Sequence, residues 1–261
     1  MKYYFYIAGA AFLIASCKQK ETDSAGLVKN TDLIQQNLKG NVERIEETSY
    51  RVDNSGKQSA MDSLINVSEF DRKGYQTRTS GKYSNGTIKQ ERTIAHYNNG
   101  AVKEVVSKTD GKQTFRMEII IDRNGNYVMA KSYDSAGKIN SYYKDLAQNE
   151  YGQVLTGNQY TTGNSLKSSF QTTYDGPNYT GNTNKDSAGN VIYSVKAILN
   201  KKGDPAELTT TSTKKDGSTS VEKITYRYDQ YDNNGNWIQR TTLNEKGIPV
   251  KVVKRTIRYF K

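Results

Sequence analysis

Histidine and cysteine, which often serve as general bases, nucleophiles and zinc ligands, are almost absent from this sequence of 261 residues. His96 is the single histidine and Cys17 the single cysteine, so a zinc site built from these residue types would lack ligands. A serine hydrolase would need His96 as its base, yet no Gly-x-Ser-x-Gly motif presents a nucleophile. His96 is followed by Tyr97-Asn-Asn-Gly100, which predicts a strand end at a turn. We therefore expect no metal ion, no cofactor and no catalytic residue.

The many Asp- and Asn-containing turns raise calcium binding as a second kind of chemistry. In an EF-hand loop around Gly235, the first and twelfth ligand positions would be Gln230 and Thr241, which do not fit the pattern. Paired carboxylates for glycoside hydrolysis stay open, although the aspartates are already explained as turn formers. The sequence therefore favours a protein that is not an enzyme.

Aromatic side chains are the third group that could contact a ligand. Tyrosine supplies 20 residues, and Trp237 is the single tryptophan. Tyr226 and Tyr228 alternate with Thr225 and Arg227, so they share one face of a predicted strand. Such rings commonly pack across strands, but they also form surfaces that stack on sugars. We expect mainly packing, with Trp237, Tyr226 and Tyr228 as the candidate ligand contacts.

A recurrent turn positions these side chains, and its clearest copy is Tyr231-Asp-Asn-Asn-Gly-Asn-Trp237. An aspartate at the first turn position can bond the backbone two residues on, and glycine at the fourth accepts a left-handed conformation. Turn-type glycines lie at 56, 74, 86, 100, 111, 125, 137, 152, 163, 176, 189, 203, 217, 235 and 247. Close copies pair Asp71 with Gly74, Asp122 with Gly125, Asp134 with Gly137, Asp186 with Gly189, and Asp232 with Gly235.

The segments between the turns alternate with the period of a strand. Phe115, Met117, Ile119 and Ile121 share one face. Because every connection is short, consecutive strands should pair as neighbours in an antiparallel meander. We predict an all-β fold of about 14 strands in a strongly curved sheet, shaped as a half-shell or a barrel. One short helix is predicted near Thr31, with Gly40 as its stop.

The N-terminus predicts export and attachment. Residues 1–16 contain an apolar run too short to span a membrane and typical of a signal peptide. Ile14-Ala15-Ser16-Cys17 resembles the lipobox of bacterial lipoproteins, in which the cysteine is lipidated and becomes the new N-terminus. We predict a lipid anchor on Cys17, a flexible tether over 17–30 and a single β domain over 31–261.

The recurrent turn with its preceding aromatic residue resembles the YD repeats of the RHS family. The C-terminal run from Tyr226 to Tyr259, with Asp232-Asn-Asn-Gly-Asn-Trp237 inside it, is similar to the closing segment of YD-repeat lipoproteins of Bacteroidota. Leu38-Lys-Gly-Asn-Val42 looks like the opening strand of the same group. The resemblance covers about residues 38 to 261 and implies the fold and an outer-membrane location, on either leaflet. It implies no activity.

Charge and sequons add two weaker expectations. The formal net charge is +11, which suits an anionic envelope partner, although shielding of exposed strands explains it more simply. We expect no nucleic-acid partner, because the chain is predicted to be exported and has no recognisable nucleic-acid-binding motif. Asp134-Ser-Ala136 and Asp186-Ser-Ala188 resemble Bacteroidota O-glycosylation sequons, which makes Ser135 and Ser187 candidate acceptors, although Asp-Ser-Ala-Gly is also good turn chemistry.

Three functions remain for this sequence. The leading hypothesis is a non-catalytic binding or scaffold module that contacts an envelope glycan or protein. The second is an immunity-type lipoprotein that binds and neutralises a toxin, because RHS-like repeats are associated with toxin systems. The third is an envelope hydrolase.

Overall fold

The computed structural model describes residues 31–61, 64–214 and 216–261. They form a closed antiparallel β-barrel of 16 strands with one extra short strand, which confirms the prediction of an all-β, barrel-like meander with one short helix. Cys17, the predicted signal peptide at 1–16 and the predicted tether at 17–30 lie outside the described residues. Among the described residues, no helix has the length and apolar character needed to cross a bilayer.

Helix α1 spans Asp32–Gln35 and precedes all the strands. The strands are β1 Val42–Val52, β2 Gln58–Ala60, β3 Ile65–Phe70, β4 Gln76–Lys82, β5 Ile88–His96, β6 Val102–Thr109, β7 Lys112–Ile121, β8 Tyr127–Tyr133, β9 Ile139–Gln148, β10 Val154–Tyr160, β11 Leu166–Asp175, β12 Asn178–Asp186, β13 Val191–Leu199, β14 Pro205–Thr213, β15 Thr219–Tyr231, β16 Trp237–Leu243 and β17 Pro249–Tyr259.

The barrel closes through β1, which pairs with β17 on one side and with β3 on the other. The short strand β2 pairs with the far end of β1, from Tyr50 to Val52. The structure has more strands than predicted for two reasons. A meander has one strand more than it has turns, and the long segment between Gly56 and Gly74 divides into β2 and β3.

The turns owe their shape to short-range hydrogen bonds. In the turn that begins at Asp232, the carboxylate Oδ1 accepts the N–H groups of Asn234 and Asn236 at 3.0 and 2.9 Å, and Gly235 has φ +84°. Asp71, Asp122, Asp134 and Asp186 accept in the same way. The prediction was wrong by one residue at Gly163, because Asn164 takes the left-handed position there, with φ +63°.

Alternate turns lie at opposite ends of an antiparallel meander, so the barrel has two distinct ends. The helix end carries the turns at Gly74, Gly100, Gly125, Gly152, Gly176, Gly203 and Gly235, and the far end carries the other turns. Helix α1 lies against the helix end. The N–H of Leu33 donates to the carbonyl of Gly74 at 3.2 Å, and the Asn37 amide donates to Asp204 Oδ1 and to the Lys202 carbonyl, both at 2.9 Å.

The register shows which face of the wall is inside. Ile45 and Ile257 are directly opposite each other in β1 and β17, and both pack in the cluster that contains Leu33 of α1. Because side chains alternate along a strand, the neighbouring Glu46 faces outward. Met117 and Ile119 lie on the inner face and form an apolar core with Ala130 and Val154.

The outer face carries most of the ion pairs of the described residues. Arg44, Glu46, Glu69, Arg78 and Glu91 form a chain of pairs across β1, β3, β4 and β5, with N–O distances of 2.5 to 3.4 Å. A second group joins Arg116 to Glu104 and Glu118 across β6 and β7 at 2.7 and 2.8 Å. The outer surface of the barrel therefore carries charged side chains along the middle of its wall.

Candidate functional site

A cavity of about 230 Å³ lies inside the barrel beside helix α1, and we call it the inner chamber. The helix and the segment after it, the turn at Gly203 and strands β12, β13, β14, β16 and β17 contribute its walls. Its lining residues are Gln35, Gln36, Asn37, Asn178, Tyr179, Leu199, Gly203, Asp204, Pro205, Trp237, Arg240 and Arg255.

Trp237 anchors the wall of the inner chamber. It is the first residue of β16, directly after the turn at Asp232, and pairs with Tyr231 in β15. Only 5% of its surface is exposed. Tyr228 contacts it edge-on, with ring centroids 5.8 Å apart. The guanidinium carbon of Arg255 lies 3.3 Å from the Trp237 ring centroid and that of Arg240 lies 4.7 Å away, so the tryptophan holds two cations in place.

The two arginines differ in how they are paired. Arg255 Nε donates to Glu47 Oε1 at 2.6 Å, and burial lowers the pKa of Arg255 while Glu47 opposes that shift. Arg240 lies over the Tyr226 ring, 4.3 Å from the centroid. It has no ion-pair partner among the described residues, and its Nε atom is buried without a hydrogen-bond partner. Burial, followed by the charge of Arg240, lowers the pKa of Lys251. Arg240, Arg255 and Lys251 therefore outnumber the acidic residues Asp204 and Glu47 at the chamber.

The tyrosines around the chamber are hydroxyl donors rather than acids. Burial raises the pKa of Tyr228 to about 12 and that of Tyr179 to about 12, so both stay protonated at neutral pH. The Tyr228 hydroxyl donates to the Pro205 carbonyl at 2.7 Å. Burial also raises the pKa of Tyr226. These rings stiffen the wall, and their hydroxyl groups keep it polar.

Helix α1 brings Gln35 to the chamber. This side chain is only 7% exposed, and neither its Nε2 nor its Oε1 atom has a hydrogen-bond partner among the described residues. An unpaired buried amide is costly. After the helix, Lys39 N–H donates to Asn236 Oδ1 at 2.8 Å, and Asn236 Nδ2 donates to the Lys39 carbonyl at 2.8 Å. The turn at Asp232 thus holds the segment that follows the helix.

The other contact of α1 with the barrel contains the single histidine. Asp32 Oδ2 accepts the Gln76 N–H at 2.7 Å and lies 3.7 Å from His96 Nε2. Burial raises the pKa of Asp32 to about 7, and burial lowers the pKa of His96. His96 is the last residue of β5, where it pairs with Val102. It therefore lies against the helix.

Of the three predicted ligand contacts, Trp237 lines the inner chamber. Tyr226 and Tyr228 do not line it, but they contact the lining residues Arg240 and Trp237. The predicted acceptors Ser135 and Ser187 are exposed in turns at the far end. Their glycosylation remains a prediction. Among residues 31–61, 64–214 and 216–261, no group of three or more His, Cys, Asp or Glu side chains is placed to hold a metal ion.

Gln35, Glu47, Arg240 and Arg255 were not predicted from the sequence as residues of the site. A signal for the two arginines existed, because Arg240 is opposite Tyr228 in the register of β15 and β16, and Arg255 shares one face of β17 with Val253 and Ile257. The sequence did not show that the strand faces carrying Arg240 and Arg255 lie inside a closed barrel.

Solved structures with similar shape were found for this chain. A porin-like protein from Bacteroides uniformis is 12% identical, with a TM-score of 0.52 over 83% of this chain and 96% of that one. A porin-like protein from Bacteroides vulgatus is 10% identical, with a TM-score of 0.41 over 84% of this chain and 98% of that one. A chain of the TcdB2-TccC3-Cdc42 structure is 13% identical, with a TM-score of 0.23 over 72% of this chain and 12% of that one.

The likeness to the Bacteroides uniformis protein shows the fold alone, since the identity is low. The other two structures have TM-scores below 0.5, so they are not used to describe the fold of this chain. No protein-family model matches the chain, and no curated protein matches its sequence.

Proposed function

We propose that this chain is a non-catalytic binding module that is tethered to the outer membrane through Cys17 and takes an envelope glycan, or a sugar unit of one, into the inner chamber. The observation that carries the proposal is a cavity of about 230 Å³ lined by a buried amide and a guanidinium that have unsatisfied hydrogen-bonding groups. Buried polar groups ordinarily have partners. A polar ligand would supply them.

The charged side chains of the outer face favour a barrel that is surrounded by water and lies beside the membrane. A barrel that crosses a bilayer presents an apolar band about 25 Å tall to lipid, and an arginine or lysine at the midplane costs roughly 2–4 kcal/mol. Here Arg44, Arg78 and Arg116 lie on the outer face in ion-pair networks. The envelope location itself draws on the lipobox and on the resemblance to YD-repeat lipoproteins, and the porin-like fold neighbour is consistent with it.

The tether is tested by Cys17→Ser. We expect the unsubstituted protein to be recovered with membranes and the variant to be recovered in the soluble fraction, because only lipid on Cys17 would hold a charged barrel at a bilayer. Fractionation of envelope preparations measures this, with Ser24→Ala as a control that should stay with the membranes. Membrane retention of the Cys17→Ser variant would contradict the proposed anchor.

The ligand is tested with the full-length protein in detergent and a panel of envelope sugars and glycans. Because Trp237 is the single tryptophan and lies in the chamber wall, a bound sugar should change its fluorescence and raise the melting temperature. Tyr179→Ala, in the chamber lining, should weaken binding at least tenfold. Tyr160→Ala is the matched control, since its hydroxyl donates to Asp145 on the outer face at 2.7 Å.

Three results would contradict the proposed function. If no sugar or glycan in the panel binds, the chamber is not a glycan site. If the barrel instead captures one envelope protein or toxin and rescues growth, the protective alternative replaces it. If a glycan is hydrolysed, with the turnover abolished by substitution of one carboxylate, the protein is an enzyme.

A further inference from the structure

Charge at the inner chamber is unbalanced. Glu47 pairs with Arg255, and Asp204 of the lining accepts from the Asn37 amide. This leaves Arg240 without an acidic partner among the described residues. Burial lowers the pKa of both Arg255 and Lys251, and the charge of Arg240 lowers each further, so Arg240 lies close enough to repel the other two cations. A group of like charges in a partly buried site favours entry of an anion.

Two aromatic rings hold the guanidinium of Arg240 in an orientation suited to binding a carboxylate. Its guanidinium lies over Tyr226 and near Trp237, with distances to the two ring centroids of 4.3 and 4.7 Å. These rings fix the plane of the guanidinium, and a fixed guanidinium offers paired donors to a planar carboxylate. Its Nε donor is buried and unpaired, so an incoming acceptor would satisfy it.

Gln35 adds a neutral donor and acceptor to the same cavity. Both of its amide atoms lack a partner among the described residues, and the residue is 7% exposed. A sugar hydroxyl both donates and accepts, so it can satisfy both kinds of atom. Tyr179, Leu199 and Pro205 line the cavity beside these polar groups, and they provide apolar surface for the C–H faces of a sugar ring.

The size of the chamber limits the ligand. Small-molecule sites commonly measure roughly 300–1,000 Å³, and this cavity measures about 230 Å³. We propose that the inner chamber binds a monosaccharide-sized sugar acid, with its carboxylate at Arg240 and a hydroxyl at the amide of Gln35. The inference rests on the proposed function and specifies its substrate class.

The test is titration calorimetry of the full-length protein in detergent with galacturonate, galactose and galactose 6-phosphate. Galacturonate should bind, and galactose should bind at least tenfold more weakly because it lacks the carboxylate. Arg240→Gln should weaken galacturonate binding at least tenfold, and Gln35→Leu should weaken both galacturonate and galactose. Arg258→Gln is the matched control, because Arg258 is an outer-face arginine paired with Glu43 at 2.7 Å. Circular dichroism and melting temperature verify that each variant folds.

The outcomes separate this inference from the proposed function. Equal affinity for galactose and galacturonate, or full galacturonate affinity in a folded Arg240→Gln variant, would overturn the sugar acid and leave a glycan-binding chamber. Binding of galactose 6-phosphate without galacturonate would overturn the carboxylate in favour of a phosphate. If none of these sugars and no glycan of the wider panel binds, the proposed function fails as well.

Discussion

Gly100→Ala should lower the free energy of unfolding by roughly 3 kcal/mol, as the sum of left-handed strain and overpacking. Gly100 has φ +84° in the turn between β5 and β6, and an added Cβ would lie 2.0 Å from the Tyr75 hydroxyl oxygen and 2.3 Å from its Cζ atom. Tyr75 is 4% exposed, so its ring has little room to move. Urea denaturation of the variant measures the loss.

The matched control is Gly137→Ala, in the turn between β8 and β9 at the far end. Gly137 has φ +78°, and an added Cβ would meet no atom within 4 Å. Only the cost of a left-handed alanine remains, about 1–2 kcal/mol. The difference between the variants therefore measures packing at the helix end. Equal losses would show that Tyr75 does not pack against Gly100 as the structure describes.

Asp32→Asn should remove a pH dependence of about 3 kcal/mol between pH 5 and pH 8 from the free energy of unfolding. Burial raises the pKa of Asp32 from 3.8 to about 7. Between these values the folded state binds the proton more tightly than the unfolded state does. This stabilisation is complete below about pH 3.8 and is lost as the pH rises through about 7, so Asp32 makes the protein less stable at higher pH.

The magnitude follows from the pKa difference. About 1.4 kcal/mol per pH unit, from pH 5 to the folded-state pKa near 7, gives roughly 3 kcal/mol. His96 works in the opposite direction, because its lowered pKa makes the folded protein gain stability as the pH rises toward 6.5. Comparing Asp32→Asn with the unsubstituted protein at each pH isolates Asp32, since an asparagine can still accept the Gln76 N–H.

The experiment is urea denaturation of both proteins across this pH range. At pH 5 the variant should already be more stable by about 1.5 kcal/mol, and by pH 8 the difference should grow to about 4.5 kcal/mol. Asp134→Asn, in an exposed turn, is the control and should keep the pH dependence of the unsubstituted protein. If Asp32→Asn keeps that dependence too, Asp32 is not the buried acid beside α1 that the structure describes.

Much of the local structure was predictable from sequence because its causes lie within a few residues. The turn at Asp232 depends on one carboxylate, two N–H groups and one glycine, all within five positions. Thr31 caps α1 by accepting the Ile34 N–H at 3.4 Å. Alternation along β7 placed Met117 and Ile119 on the same face, where both are buried.

The candidate site was only partly predictable. Tyr226, Tyr228 and Trp237 could be singled out because aromatic residues are informative by type. Glu47 and Arg255 are 208 positions apart and meet only because β1 pairs with β17. Gln35 becomes part of the chamber only because α1 is held at the helix end. Nothing in the sequence distinguishes these polar residues from others of the same type, because only long-range contacts bury them and bring them together.

The sequence by itself determined the turns, the two faces of each strand and the order in which neighbouring strands pair. The tertiary structure decided that the sheet closes, which face is inside and where the cavity lies. Each turn is set by bonds within one hairpin, whereas closure depends on the twist and stagger accumulated over every strand of the barrel. The sum of those small rotations brings β17 back to β1, and no local pattern specifies it.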